Sequence, residues 1–554
     1  MLDQNLIRMY EKSFRENAEL PALTDYFKRN DVFSYLDMAA EIAKLHMLFE
    51  KCGIEKGDKI SLIGRNNTRW CITYVATITY GAVIVPILQD FPANDLHHII
   101  NHSESKLLFC GDRIWDSVET DQIERVIAVI NLVDFGCLFD RTEGESIREF
   151  QDNVQTHFKE RYPAGFKTQD IKYCDVRNDD VIVLNYTSGT TGFSKGAMLT
   201  CNNITGNVQF CIDLGVRLKY DRVLSLLPLA HVYGCTVDFL LSLAVGAHVT
   251  LLGKTPSPKL LIEAMRNVKP QVVCCVPLIL EKICRKQVFP ILGKGFMRLA
   301  LQIPLLDNKI YGRIRHDLIN IFGGEVRQVI VGGAPFNHEV EEMLLKIKFP
   351  VTVAYGMTEC APLISYAHWY NFKPGSCGQV LHGYMQVKID SSDPYNVPGE
   401  IMTRGENVMK GYYKNAKATE AIIDKDGWLH TGDIGTIDAD GTLFIRGRCK
   451  SMVLGANGQN IYPEEIEAKL NNLYCVMESL VLERDGKLVA LVYPDYERAD
   501  ADKVNGNLAD VMKKNLEELN TLVAPYEKVS DIILFPNEFE KTPKKSIKRY
   551  LYNV

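Results

Sequence analysis

The chain has 554 residues, 46% apolar and 24% charged, the balance of a globular protein long enough for large cores without covalent staples. Its formal net charge of −6 argues against a general nucleic-acid binder, whose footprint would be basic. The fifteen cysteines are odd in number and hold no C-x-x-C pair, so they predict free thiols in a reducing cytoplasm rather than a disulfide framework or a zinc site. Residues 1 to 14 are mixed and charged and do not read as a secretory leader.

Up to about residue 445 helical stretches alternate with short apolar strands. "YLDMAAEIAKLHMLFEKCG" (35–53) precedes "KISLIG" (59–64), "AVIVPI" (82–87), "KLLFCG" (106–111) and "RVIAVI" (125–130). Residues 236–252 are the most apolar stretch. They contain Asp238 and His248 and read as a core helix followed by a strand, not a membrane span. "PQVVCCVP" (270–277), "RQVIVGGAP" (327–335) and "PVTVAYG" (350–356) follow. This alternation predicts α/β architecture with layered, mostly parallel sheets.

Near Asp438 the texture turns to short, turn-rich pieces. Pro463 suits the first position of a helix, with Glu464 and Glu465 in its first turn. "SLVLERDGKLVALVY" (479–493) reads as a hairpin around Asp485-Gly486. A boundary near Gly447 to Lys450 predicts a large N-terminal domain over 1–447 and a small, mobile α+β domain over 448–554.

"YTSGTTGFSKG" (186–196) stands apart from these elements. Its glycines let backbone N–H groups converge, its hydroxyls add rotatable donors, and Lys195 adds a point charge, so it suits phosphates. Neither a Walker loop nor a G-x-G-x-x-G turn can be laid on it. It joins two apolar runs, strand to strand. Composition alone also fits an ordinary surface loop.

The ordered sequence resembles the phosphate loop of the AMP-forming adenylate enzymes, which include acyl-CoA synthetases, luciferases and peptide-synthetase adenylation domains. Ser194 stands where the family usually has proline. Further stretches resemble family motifs in the family's order: "LPLAHVYG" (227–234), "VGGAP" (331–335), "YGMTE" (355–359), "PGEIMTRGENVMKGYY" (398–413), "GWLHTGD" (427–433), "RGRCK" (446–450) and "NGQNIYPEEIE" (457–467). The resemblance implies a two-step reaction. A carboxylate attacks the α-phosphate of MgATP to give acyl-AMP and pyrophosphate, and the thiol of coenzyme A then displaces AMP.

By this resemblance Thr187, Ser188, Gly189, Thr190, Thr191, Gly192 and Lys195 cradle the phosphates. Glu359 and Thr187 hold Mg²⁺. Gly333, Ala334 and Pro335 admit adenine, Tyr355 lies against its ring, and Gly356, Met357 and Thr358 complete the turn before Glu359. Asp433 takes the ribose hydroxyls, and Arg448 contacts ribose or phosphate. His231 gates the acyl pocket. Lys450 is the hinge, and Gly458, with Gly455 nearby, is the approach point for the pantetheine arm. Near the C-terminus the family carries an adenylation lysine; here Thr542-Pro543-Lys544-Lys545-Ser546-Ile547-Lys548-Arg549 aligns Ser546 with it, and Lys545 is the expected stand-in.

"VPLILEKICRK" (276–286) and residues 309–336 resemble long-chain fatty acyl-CoA synthetases. The expected activity is ligation of a medium- to long-chain fatty acid to coenzyme A, with ATP and Mg²⁺, in the cytoplasm, with at most peripheral membrane contact. An aryl or other carboxylate, an acyl carrier protein as acceptor, and a non-catalytic nucleotide or lipid binder stay open as alternatives, as does a homodimer.

Overall fold

A computed structural model describes residues 1–142, 146–187, 194–254, 256–292, 301, 303, 306–454, 460–484, 486–501, 508–541 and 547–552. Its elements start and stop where local chemistry directs. Helix Tyr35–Lys51 opens on a capping box in which Ser34 and Asp37 satisfy each other's backbone N–H, the arrangement that spares a helix two orphan donors. Helix Thr68–Tyr80 closes on Gly81 at φ +90°, a left-handed position that costs glycine little.

The largest sheet has eight strands. Its centre is parallel: Val181–Thr187, Val83–Ile87, Lys59–Ile63, Ser105–Cys110 and Ala128–Asn131 lie side by side. Every residue of Val83–Ile87 is buried, as expected of a strand covered on both faces. Lys195–Thr200 and then Gly411–Tyr412 extend one edge antiparallel. A three-stranded parallel sheet, Val272–Cys275, Gln328–Val331 and Val351–Val353, has its own apolar core with the neighbouring helices. The apolar stretch 236–252 is a π-helix over Gly234–Leu240, an α-helix over Leu241–Val245 and a strand over His248–Leu251. No helix among the described residues is long and apolar enough to cross a membrane.

The alternation read from the sequence ends earlier than residue 445. Met385–Asp390, Gly399–Gly405, Leu429–Ile437 and Leu443–Arg448 form an antiparallel sheet. The last two are joined by a tight turn in which Asp438 accepts from Thr442 N–H and Gly441 has φ +81°. A turn that short permits only an antiparallel return.

Past residue 460, helix Pro463–Leu470 begins with proline at its first turn. Strands Val476–Arg484 and Lys487–Pro494 make the hairpin, and Val529–Leu534 adds parallel to it. Among the described residues, no buried apolar cluster contains members from both sides of residue 447. The chain is thus a mixed α/β protein with a large N-terminal body and a small C-terminal one.

Candidate functional site

Six strands and one helix position the site: β1 (Val181–Thr187), β2 (Lys195–Thr200), β3 (Gln328–Val331), β4 (Gly411–Tyr412), β5 (Leu429–Ile437), β6 (Leu443–Arg448) and α1 (Pro463–Leu470). β1 and β2 pair antiparallel with Thr187 opposite Lys195, so the phosphate-loop motif does run from strand to strand. Thr187 Oγ1 donates to Lys195 O at 3.4 Å. Ser188, Gly189, Thr190, Thr191 and Gly192 lie outside the described residues. The Lys195 ammonium sits 5.3 Å above the ring of Tyr412, a cation–π distance.

Glu359 lies in a single 3₁₀ turn, Thr358–Cys360, and is 8% exposed. Its Oε1 accepts from the Tyr412 hydroxyl at 2.7 Å, and its backbone carbonyl from Met409 N–H at 2.8 Å. Among the described residues its Oε2 has no hydrogen-bond partner. The turn before it is sterically constrained: a Cβ on Gly356 would lie 2.0 Å from Pro362 O, so only glycine fits. Met357 N–H also donates to Pro362 O.

Tyr355 leads into that turn, and its hydroxyl donates to Asp433 Oδ2 at 2.7 Å. Asp433 sits on β5 opposite Arg448 on β6. Arg448 Nε meets Asp433 Oδ1 at 3.0 Å, and Asp433 N–H donates to Thr431 Oγ1. Burial pushes the Asp433 carboxyl above the usual carboxylate range, while Arg448 and Tyr355 oppose that shift. Burial, then the Asp433 charge, pushes the Tyr355 phenol up, so it stays protonated and donates. Each Asp433 oxygen keeps a lone pair beyond these contacts, as a two-oxygen acceptor requires.

After β3 the chain turns at Gly333, φ +84°, with nothing within 4 Å of where a Cβ would stand. Gly333, Ala334 and Pro335 are exposed, leaving backbone that a flat ring could approach. Beneath them the Tyr233 ring lies 3.4 Å from the Cβ position of Gly332, and its hydroxyl donates to Ile330 O at 2.9 Å. His231 is half-buried, and its Nδ1 accepts from Tyr233 N–H at 3.3 Å. The π-helix that follows is anchored by a fully buried pair, Arg217 and Asp238, at 3.4 Å. Removing either partner of such a pair typically costs about 3–5 kcal/mol.

Lys450 is exposed in the turn after β6, where Ser451 and Met452 N–H both donate to Arg448 O. Gly455 and Gly458 lie outside the described residues; Val453–Leu454 and Asn460–Ile461 pair on either side of them. α1 packs against β6, and a Cβ on Gly447 would lie 3.1 Å from Glu464 Oε2. Lys545 and Ser546 also lie outside the described residues. Their flanks are held: Lys541 pairs with Ile547 and meets Glu478 at 2.6 Å, and Arg549 meets Glu467 and, at 3.6 Å, Glu464.

Tyr412, Thr431 and Glu464 belong to this region; the sequence motifs give Tyr412 and Thr431 no role, and Glu464 only a place in the first turn of a helix. Tyr412 was inside the quoted stretch 398–413; the missing signal was its partner, which lies 53 residues away.

No group of three or more His, Cys, Asp or Glu among the described residues could hold a metal ion alone. One buried carboxylate with a free oxygen instead suits Mg²⁺, which takes one or two protein oxygens and fills its octahedron with phosphate and water.

The AMP-binding enzyme family profile matches residues 10–413, and the chain belongs to that family. It is 28% identical over 542 residues to 4-coumarate:CoA ligase 1 of Petunia hybrida, covering 94% of this chain and 88% of the relative. It is 27% identical over 484 residues to a long-chain-fatty-acid–CoA ligase of Escherichia coli O6:H1, covering 84% and 80%. The crystal structure of ATP-bound MatB from Rhodopseudomonas palustris matches with a TM-score of 0.76 at 22% identity, covering 99% of this chain and 98% of that one.

Proposed function

We propose that this family member is an acid–CoA ligase that adenylates a medium- to long-chain fatty acid with ATP and passes the acyl group to coenzyme A. The observation that carries the reading is the pair of buried carboxylates, Glu359 and Asp433, each held by a tyrosine hydroxyl at 2.7 Å, with the phosphate-loop lysine over the ring of the tyrosine that holds Glu359. One suits a cation on the phosphates, the other a ribose.

In the first half reaction a carboxylate oxygen of the acid attacks the α-phosphorus. The bond to the β-phosphate breaks and pyrophosphate leaves. Lys195 and the loop before it compensate phosphate charge; Glu359 and Thr187 are the residues that would hold Mg²⁺. The cation supplies neutralisation of the charge that builds on the leaving group. Asp433 orients the ribose, with Tyr355 and Arg448 fixing its carboxylate. Gly333, Ala334 and Pro335 admit the adenine, and His231 guards the acyl route. In the second half reaction the coenzyme A sulfur attacks the acyl carbon, its proton is lost, and the bond to AMP breaks. The enzyme's share of both steps is positioning and electrostatics.

Residues 1–447 form the body that holds ATP and acid. Residues 448–554 form a lid that turns about Lys450 between the half reactions. In the tail, Lys545 stands in for the adenylation lysine. Lys545→Ala then slows single-turnover acyl-AMP formation, and Ser546→Lys speeds it; no change in either removes the tail from the phosphates.

An aryl acid is the second reading, favoured by the 4-coumarate ligase match over 94% of the chain. The test is AMP release with octanoate, palmitate or 4-coumarate, each with and without coenzyme A. Turnover with the fatty acids supports the proposal. Turnover with 4-coumarate alone moves the assignment to the aryl acid. AMP only when acyl carrier protein replaces coenzyme A changes the acceptor, and nucleotide binding without turnover leaves a binder.

A further inference from the structure

We propose that Tyr412 is a positioning residue that ties the phosphate-loop lysine to the cation-side carboxylate, so that loading a divalent cation and gripping the phosphates are set by one side chain. This rests on the reading of Glu359 as the cation's carboxylate.

Tyr412 touches both groups at once. Its hydroxyl donates to Glu359 Oε1 at 2.7 Å, and its ring lies under the Lys195 ammonium at 5.3 Å. Neither contact depends on a loose side chain. Tyr412 is 7% exposed and pairs in register with Ala197, two residues past Lys195. Its N–H donates to Thr419 Oγ1 at 2.8 Å. On either side, Lys410 N–H donates to Met198 O and Tyr413 N–H to Gly196 O. The segment just before it is clamped by Asn203, whose side chain donates to the carbonyls of Glu406 and Val408. At Gly411, φ +138°, a Cβ would come within 2.8 Å of Thr419, so glycine is the residue that fits beside the tyrosine.

The chemistry follows from the contacts. A hydroxyl donating to a carboxylate is among the stronger hydrogen bonds and fixes the carboxylate's rotation. With Oε1 engaged, Oε2 is the oxygen presented to a cation. Groups that orient a metal's ligands typically change its affinity by about 10- to 100-fold. The ring contact acts separately, by holding the lysine through its face. Phenylalanine keeps the ring and loses the donor; leucine loses both.

Mn²⁺ serves as a paramagnetic probe in place of Mg²⁺. Its binding in the presence of ATP and absence of acid is read from the free-ion resonance, and metal-free ATP affinity is read by calorimetry in chelator. Tyr412→Phe is expected to weaken ATP-dependent Mn²⁺ binding by about tenfold, leaving metal-free ATP affinity and melting temperature unchanged. Tyr412→Leu is expected to weaken both affinities. Glu359→Gln is the reference. If it loses Mn²⁺ binding while Tyr412→Phe does not, the positioning role is overturned and the cation site stands. If neither variant loses it, the cation site itself fails, and the proposal with it. A uniform loss in Tyr412→Phe accompanied by a lowered melting temperature marks the tyrosine as structural and also overturns the proposal.

Discussion

Glu359 and Asp433 are both buried carboxylates held by a tyrosine hydroxyl at 2.7 Å, yet their second supports differ in kind. Behind Glu359 stands a sheet edge: Tyr412 belongs to β4, paired to the strand that leaves the phosphate loop. Behind Asp433 stands a charge, Arg448, which is 69% exposed at its side chain and ends β6 two residues before Lys450. The first support is part of the large body and moves only if the sheet opens. The second sits at the crossing to the C-terminal residues and can change when they move. Under the proposed function, a rigid support at Glu359 and an adjustable one at Asp433 would suit a site that keeps its phosphates oriented while a lid turns.

The strongest way to break the comparison is at the rigid side. Glu359→Ala is expected to cut acid-dependent pyrophosphate–ATP exchange by at least about a hundredfold, because a phosphate-bound cation supplies several kcal/mol of charge stabilisation. Full exchange would remove the cation from this carboxylate. At the other side, Asp433→Asn keeps the shape and loses the charge. Hydrogen bonds to charged groups contribute about 1.5–3 kcal/mol, so half-saturation for ATP should rise by about 10- to 100-fold, measured in the same exchange assay. An unchanged value would take the ribose away from Asp433.

Lys450→Pro sharpens the contrast between fixed and moving parts. Proline fixes φ at the turn after β6. Thioester formation is expected to fall about tenfold more than acyl-adenylate formation, a barrier difference of about 1.4 kcal/mol, in single-turnover measurements of each half reaction. Equal losses would place the moving joint elsewhere.

The smallest effect is in pH. Burial raises the Asp433 carboxyl and Arg448 holds it back, so ATP binding weakens on acidification as Asp433 takes up a proton. Arg448→Gln removes the opposing charge. Asp433 then protonates at higher pH, and the acid limb of ATP affinity should move up, modestly because this arginine is exposed. A limb that stays put would mean that Arg448 does not tune Asp433.

Much of the site was legible in the linear order of residues, for local reasons. The apolar runs marked β1, β2 and β3, since a buried strand needs them whatever its neighbours are. Glycines at 333 and 356 and the proline at 463 marked turns and a helix start, because backbone conformation and helix ends are decided within a few residues. The extent of the antiparallel sheet was not legible: only pairing across the turn at 438–442 gives its strands direction. Nor was the service of Tyr412 to Glu359 or of Tyr355 to Asp433, which are 53 and 78 residues apart. Those contacts exist because β4 adds to the edge of the eight-stranded sheet and β5 pairs with β6, and which edge a two-residue strand joins is settled by packing of the whole body. Residue types and their order thus determined which groups could take part, while the tertiary structure decided which tyrosine holds which carboxylate, and which of the two holds can move.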